Sequence, residues 1–118
     1  MSAPLVKKPL VFYAAASGRE PVREWLKELD VEDRRSIGLD LMRVQYAWPV
    51  GMPLCRSFGD GLWEVRSALS GGRIARVLFC CHGQRLYAVH GFIKKSQKTP
   101  KTELDLALKR KKDIENGE

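Results

Sequence analysis

The sequence predicts an α+β fold in the order β-α-α-β-β-β-β-α, a small antiparallel meander with two N-terminal helices and one C-terminal helix. Three observations predict it. Apolar residues recur at helical spacing from Val22 to Val44. From Cys55 onward the pattern changes to short β-like runs broken by glycine turns. Beyond Thr99-Pro100 helical spacing returns.

In chain order, Leu10 to Ala16 reads as the first strand. "SGREPVREWLKEL" follows, with Pro21 near a first helical turn and Val22, Trp25, Leu26 and Leu29 on one stripe. Asp30 is placed to cap a second helix with Asp33 in its first turn. Ile37, Leu41 and Val44 form its apolar stripe until "WPVGMP" stops it. "CRSF", "LWEVRSA", "RIARVLFCC" and "LYAVHGFI", parted by "GDG", "SGG" and "HGQ", read as the antiparallel meander. Gly59 and Gly61 make a turn there and not a phosphate loop, because no helix start follows them. Thr99 is expected to cap the last helix with Pro100 at its first position, Leu104, Ala107 and Leu108 inward, and Lys109 to Lys112 in its final turn, where cations suit the dipole. The helices are expected to cover one face of the sheet. Trp25, Trp48 and Trp63 are assigned to packing.

The chain has 118 residues, 44% of them hydrophobic and 30% charged, which suits one compact domain over residues 1–118. No repeat or low-complexity linker interrupts it. A net charge of +7 and a pI near 9.6 favour an anionic partner: RNA, DNA or an acidic protein segment. The excess sits in the C-terminal half. From Gly61 to Thr102 the only acid is Glu64, against Arg66, Arg73, Arg76, Arg85, Lys94, Lys95, Lys98 and Lys101. Between Arg19 and Asp40 acids slightly outnumber bases, which reads as the solvated exterior of a scaffold helix.

"KKPLVFYAAAS" has the outline of a secretory signal, but its apolar run is short, is opened by Pro9 and reads equally as a buried strand. No apolar stretch approaches the ~20 residues that span a bilayer. Three cysteines without a CxxC suggest neither a disulfide framework nor a zinc site, so a reducing, cytoplasmic setting is expected, without metal or other cofactor. In "CCH", neighbouring strand residues point to opposite faces, so Cys80 and Cys81 are expected to be buried thiols and not metal ligands.

"GLWEVR", "GGRIARVLF" and "HGFIKKSQKTPKTELDLA" closely resemble the phage-derived, HigB-like branch of the RelE/ParE toxin superfamily, from about Val11 to about Lys112. The resemblance implies a type II toxin that cleaves mRNA, usually on the ribosome. Its partner is then a helix-turn-helix, HigA-like antitoxin with which it oligomerises. It also implies that Arg66 of "WEVR" and Arg76 of "ARVLF" match basic positions contacting the scissile phosphate, and that "KKSQK" matches the basic segment entering the last helix.

The chemistry itself can be stated without the family. To cut RNA without a metal, the 2′-hydroxyl must lose a proton as it attacks phosphorus, charge grows on the non-bridging oxygens, and the leaving 5′-oxygen must gain a proton. Arginine forks suit the phosphate; lysine serves as a movable charge, or as acid or base when cations crowd it. Strand alternation puts Glu64 with Arg66, Ile74 with Arg76 and Leu78, and His90 with Phe92 and Lys94. If those faces coincide, Arg66, Arg76, His90 and Lys94 share a groove, with Arg73, Lys95, Lys98 and Lys101 as RNA-backbone contacts.

The general base stays open. Better-known relatives place a lysine where this chain has Glu64, and some a tyrosine after the last strand, where this chain has none beyond Tyr87. Glu64 is either that base or the salt-bridge partner of Arg66 or Arg76, the second being the commoner role of an acid beside arginines. His90 has a suitable unperturbed pKa, although an isolated strand histidine more often packs. Phe92 could stack on a base but is more readily core. The alternative function is a non-catalytic basic binder, such as a ParE-like gyrase inhibitor or a protein that coats RNA; outward scatter of Arg66, Arg76 and Lys94 would favour it.

Overall fold

The computed structural model describes residues 7–49 and 54–117. Its elements follow the predicted order: β1 (Leu10–Phe12), α1 (Pro21–Glu28), α2 (Val31–Ala47), β2 (Cys55–Gly59), β3 (Leu62–Ala68), β4 (Ile74–His82), β5 (Arg85–Lys94) and α3 (Lys101–Asn116). A short 3-10 turn at Ser70–Gly72 joins β3 to β4. The strands form one sheet in the order β1-β5-β4-β3-β2. β2 to β5 make the expected antiparallel meander, while β1 pairs with β5 in parallel, so the sheet is mixed.

The first strand is shorter than its apolar run. It ends at Phe12, Tyr13 N–H still donates to Ala88 O at 3.0 Å, and the chain then turns through Gly18 at φ +90°. Pro21 opens α1, where its missing N–H leaves nothing unsatisfied. Asp30 holds the cap position of α2 without a side-chain capping bond. Its helix stops at Ala47, before Trp48 and Pro49; Gly51 and Pro53 of the stop signal lie outside the described residues.

The expectation that all helices share one face of the sheet is corrected. Val22 of α1 and Ile37, Leu41 and Val44 of α2 pack with Val65, Ala75, Val77 and Phe79 on one face, closed at one end by Trp48 edge-on to Trp63 and Phe79. Ala107 of α3 packs with Leu62, Leu78, Cys80, Val89 and Phe92 on the other. The cause lies in β4: the run "IARVLFCC" is apolar at both parities, and a strand of that kind needs cover on both sides.

α3 differs from expectation in three further ways. Pro100 is its N-cap, and Thr99 lies outside the helix with its hydroxyl on Glu64. The helix runs on to Asn116, so Lys109 to Lys112 are not its final turn. Leu108 is exposed, and Leu104 and Ile114 pack beside Ala107 instead. Cys80 and Cys81 do take opposite faces, but only Cys80 is buried; Cys81 is exposed. Burial pushes the Cys55 and Cys80 thiols up to about 11.

Candidate functional site

The meander's register sets the site on the α3 side of the sheet. Arg66 stands directly across from Arg76, and Arg76 from Phe92; one row along, Glu64 faces Leu78 and Leu78 faces His90; at the far end Ile74 faces Lys94. Residues opposite one another on neighbouring strands share a face, so Glu64, Arg66, Arg76, His90, Phe92 and Lys94 are gathered there. β5 carries a register shift between the Leu78 and Phe79 pairings, which lets both Val89 and His90 turn toward α3.

Two arginines face to face repel, and the carboxylate of Glu64 separates them. Its Oε1 accepts from Arg66 Nε at 2.7 Å, its Oε2 lies 3.9 Å from Arg76 Nε and accepts from the Thr99 hydroxyl. Glu64 and Arg76 are both 0% exposed. Burial pushes the Arg76 guanidinium below the usual arginine range, with Arg66 adding to the effect and Glu64 opposing it. Arg76 Nε is the single buried side-chain nitrogen or oxygen among the described residues without a hydrogen-bond partner.

The remaining arginine donors meet main chain. Arg76 Nη1 donates to Lys94 O at 3.5 Å and Nη2 to Ser96 O, while Arg66 Nη2 donates to Gln97 O at 2.6 Å. The segment from Lys95 to Lys98 is thus a strap whose carbonyls sit on the guanidinium forks, with Thr99 fastened to Glu64 at its far end. Phe92, buried as expected, has Arg76 and Lys94 at 5.8 and 5.7 Å from its ring centre.

A second carboxylate completes the site, and sequence reasoning missed it. Glu103, in the first turn of α3, is 2.6 Å from His90 Nε2 through Oε1 and 3.3 Å from Lys94 Nζ through Oε2. Three positions past a cap, a glutamate ordinarily reaches back to the cap's N–H. Here the cap is Pro100, which has none, so the carboxylate reaches across to β5. Burial acts to raise its pKa, but the bonds to His90 and Lys94 outweigh it and hold the carboxyl below its ordinary value. The signal was present in the sequence: Glu103 is the acid that ends the acid-free run after Glu64.

The other expected contacts are spread differently. Lys95 and Lys98 are exposed on the strap. Lys101 is exposed and pairs with Asp105 at 2.8 Å. Arg73 is not brought to the site: it grips Asp33 of α2 with two bonds of 2.8 and 3.1 Å and the 3-10 turn through Ser70. Among the described residues, no group of three or more His, Cys, Asp or Glu side chains is placed to hold a metal ion.

Fold and site together define a class: small basic α+β proteins whose mixed sheet carries a facing arginine pair, one buried and one partly exposed, and a histidine-carboxylate contact where the last strand passes into the last helix. A family model described as Phage derived protein Gp49-like (DUF891) matches residues 24–112, from α1 into α3. The chain belongs to that family, which is one of RelE-like toxins of toxin-antitoxin systems and so implies an antitoxin as partner. No curated protein matches it. No helix among the described residues is long and apolar enough to cross a membrane.

Proposed function

We propose that this chain is a metal-independent endoribonuclease toxin of the HigB-like branch, cutting mRNA on the translating ribosome in the cytoplasm and silenced by a helix-turn-helix antitoxin. The observation that carries the reading is the convergence of Arg66, Arg76, His90 and Lys94 on one sheet face beside a histidine-carboxylate contact.

The reaction divides among them as follows. With Nε2–H given to Glu103, the neutral His90 ring carries its lone pair on Nδ1 and takes the 2′-hydroxyl proton. The 2′-oxygen then bonds to phosphorus as the bond to the 5′-oxygen breaks. Arg66 and Arg76 donate to the non-bridging oxygens in the places that the Ser96 and Gln97 carbonyls fill, which requires the strap to shift. Lys94 gives its proton to the departing 5′-oxygen. Glu64 acts through the arginines, holding two like charges together, and Lys95, Lys98 and Lys101 meet the RNA backbone.

Expression of this chain alone, with transcript ends mapped after a short induction, should give new 5′ ends within translated messages and arrested growth. Transcripts that stay intact while gyrase is blocked would instead establish the ParE-like reading. One observation favours a non-catalytic binder: the arginine donors are taken up by main-chain carbonyls. Cleavage of message by purified protein and ribosomes separates the two.

A further inference from the structure

On the α3 side of the sheet, at the other end of α3 from the arginines, a cavity of about 650 Å³ opens between β1, the start of β5 and the last turns of α3. Val11, Tyr13, Tyr87 and Ile114 give it apolar and aromatic walls, and Arg85 and Asp113 are its charged groups. We infer that this cavity binds a guanine nucleotide, with the base against the two tyrosine rings, its donor edge on the Asp113 carboxylate and its phosphate on Arg85.

The strand register sets the aromatic walls. β1 and β5 run parallel with Val11 beside Tyr87, so Tyr13, two residues on, stands on the same face as Tyr87 and Arg85. The His82 ring stands edge-on to Tyr87, 6.3 Å between centres. Arg110 lies over one face of Tyr13 at 5.5 Å from the ring centre but borders a different cleft, which leaves the other face to the cavity. Two half-buried rings held in this way form a stacking platform, and every base has a π-face to lay on it.

The polar groups choose the base. The Tyr13 hydroxyl donates to Asp113 Oδ2 at 2.9 Å. Burial first, and the carboxylate next, push this phenol above its ordinary pKa, so the hydroxyl keeps its proton and holds the carboxylate in place. A carboxylate with one bond made has lone pairs left on both oxygens, and it can only accept. Among the four RNA bases guanine alone presents two adjacent N–H donors, at N1 and at the 2-amino group, with the spacing of a carboxylate. Adenine and cytosine set an acceptor beside their donor, and uracil flanks its one N–H with two carbonyls, so each brings a lone pair against Asp113. Arg85 is exposed and has no carboxylate partner among the described residues, and a guanidinium fork suits a phosphate.

Other ligand classes fit the cavity less well. An apolar molecule would leave Arg85 and Asp113 unused, and a bare anion would meet the Asp113 charge. The volume falls in the range of small-molecule sites, roughly 300–1,000 Å³. From Glu103 to Asp113 the helix rises about 15 Å, so this cavity and the arginine site are separate places. The inference therefore does not rest on the proposed nuclease activity.

Calorimetric titration of the full chain with guanosine monophosphate, inosine monophosphate, adenosine monophosphate and guanosine tests it. The guanine nucleotide should bind tightest, inosine monophosphate more weakly because it lacks the 2-amino group, and the adenine nucleotide about tenfold or more below the first. Asp113→Asn keeps an oxygen for Tyr13 but turns a donor toward the base, so it should weaken the guanine nucleotide by about tenfold and erase its advantage over adenine. Arg85→Ala should weaken guanosine monophosphate and leave guanosine unchanged. Both side chains are exposed, so both variants should melt with the parent. Tyr87→Leu should weaken every purine, whereas Tyr87→Phe should not. Oligouridylates carrying one guanosine or one adenosine identify the source. A guanosine advantage that disappears in Asp113→Asn assigns the site to a guanine within a strand, and its absence beside retained mononucleotide binding assigns it to the free nucleotide. Equal binding of the guanine and adenine nucleotides, undiminished guanine binding by folded Asp113→Asn, displacement by inorganic phosphate as effective as by the nucleotide, or no guanine binding in either form would overturn the inference. None of these measurements reads cleavage, so a failed guanine site and a failed nuclease are told apart.

Discussion

Arg66 and Arg76 occupy matched positions on adjacent strands, yet their surroundings make them unequal subjects for substitution. Arg66 keeps 18% of its side chain exposed, so Arg66→Ala should fold normally while cleavage falls about a hundredfold, roughly 3 kcal/mol of lost transition-state stabilisation. Full cleavage by a folded Arg66→Ala would remove it from the phosphate site. Arg76 is wholly buried and supplies donors to the Lys94 and Ser96 carbonyls. Arg76→Ala should therefore lose stability as well as activity, on the order of 3 kcal/mol in urea unfolding, because it leaves those groups and Glu64 short of a partner. The arginine and histidine positions were legible in the sequence because strand alternation has a fixed period. Glu64 as the arginines' partner was one of two readings, and its burial with Arg66, Arg76 and Thr99 favours that one. Glu103 was not legible, because the contact depends on how α3 swings back over β5.

At the scale of elements, β5 joins the two halves of the molecule, touching α1 on one face and α3 on the other. Gly91 lies directly under a side chain of α1: a Cβ there would lie 2.4 and 2.6 Å from ring atoms of Trp25. Gly91→Ala should accordingly destabilise the fold by about 1–3 kcal/mol, since an interior already packed cannot take another methyl without moving a ring. An unchanged unfolding midpoint would show that Trp25 moves freely. On the opposite face α3 is fastened by Glu103 to His90 and Lys94. The Glu103 carboxyl titrates lower in the folded chain than its ordinary 4.5. Its contribution to stability is thus present in full above that value and lost as pH falls through the folded pKa. Glu103→Gln should flatten the acid limb of stability against pH, and an unaltered limb would mean that other carboxylates dominate it. The existence and order of these elements followed from periodicity, but the side on which α3 packs did not. Strand parity gives two faces without saying which helix takes which, and the parallel seat of β1 depends on a connection through two helices.

For the whole molecule the governing quantity is the uneven spread of a net charge of +7. That unevenness was readable as an acid-free run, and folding refines it: Arg73 is spent on Asp33 on the α2 side, whereas Lys95 and Lys98 stand exposed on the strap over Arg66 and Arg76. The two kinds of cation should separate in salt dependence. Each lysine that neutralises an RNA phosphate releases counterions on binding, so replacing Lys95 or Lys98 with alanine should lower the log-log slope of affinity against salt by roughly 0.7 for single-stranded RNA. Cleavage at saturating RNA should change little in either variant, because neither lysine takes part in the proposed proton transfers. Lys94 should behave oppositely. Paired with Glu103 at the histidine, its loss should reduce cleavage at saturation far more than it reduces the slope. Titrations of the three single variants at several salt concentrations, with single-turnover cleavage beside them, measure both quantities. Equal slopes in all three and unchanged cleavage would return the strap to a solvated helix entrance, and the basic face would then have to find its anionic partner elsewhere on the sheet.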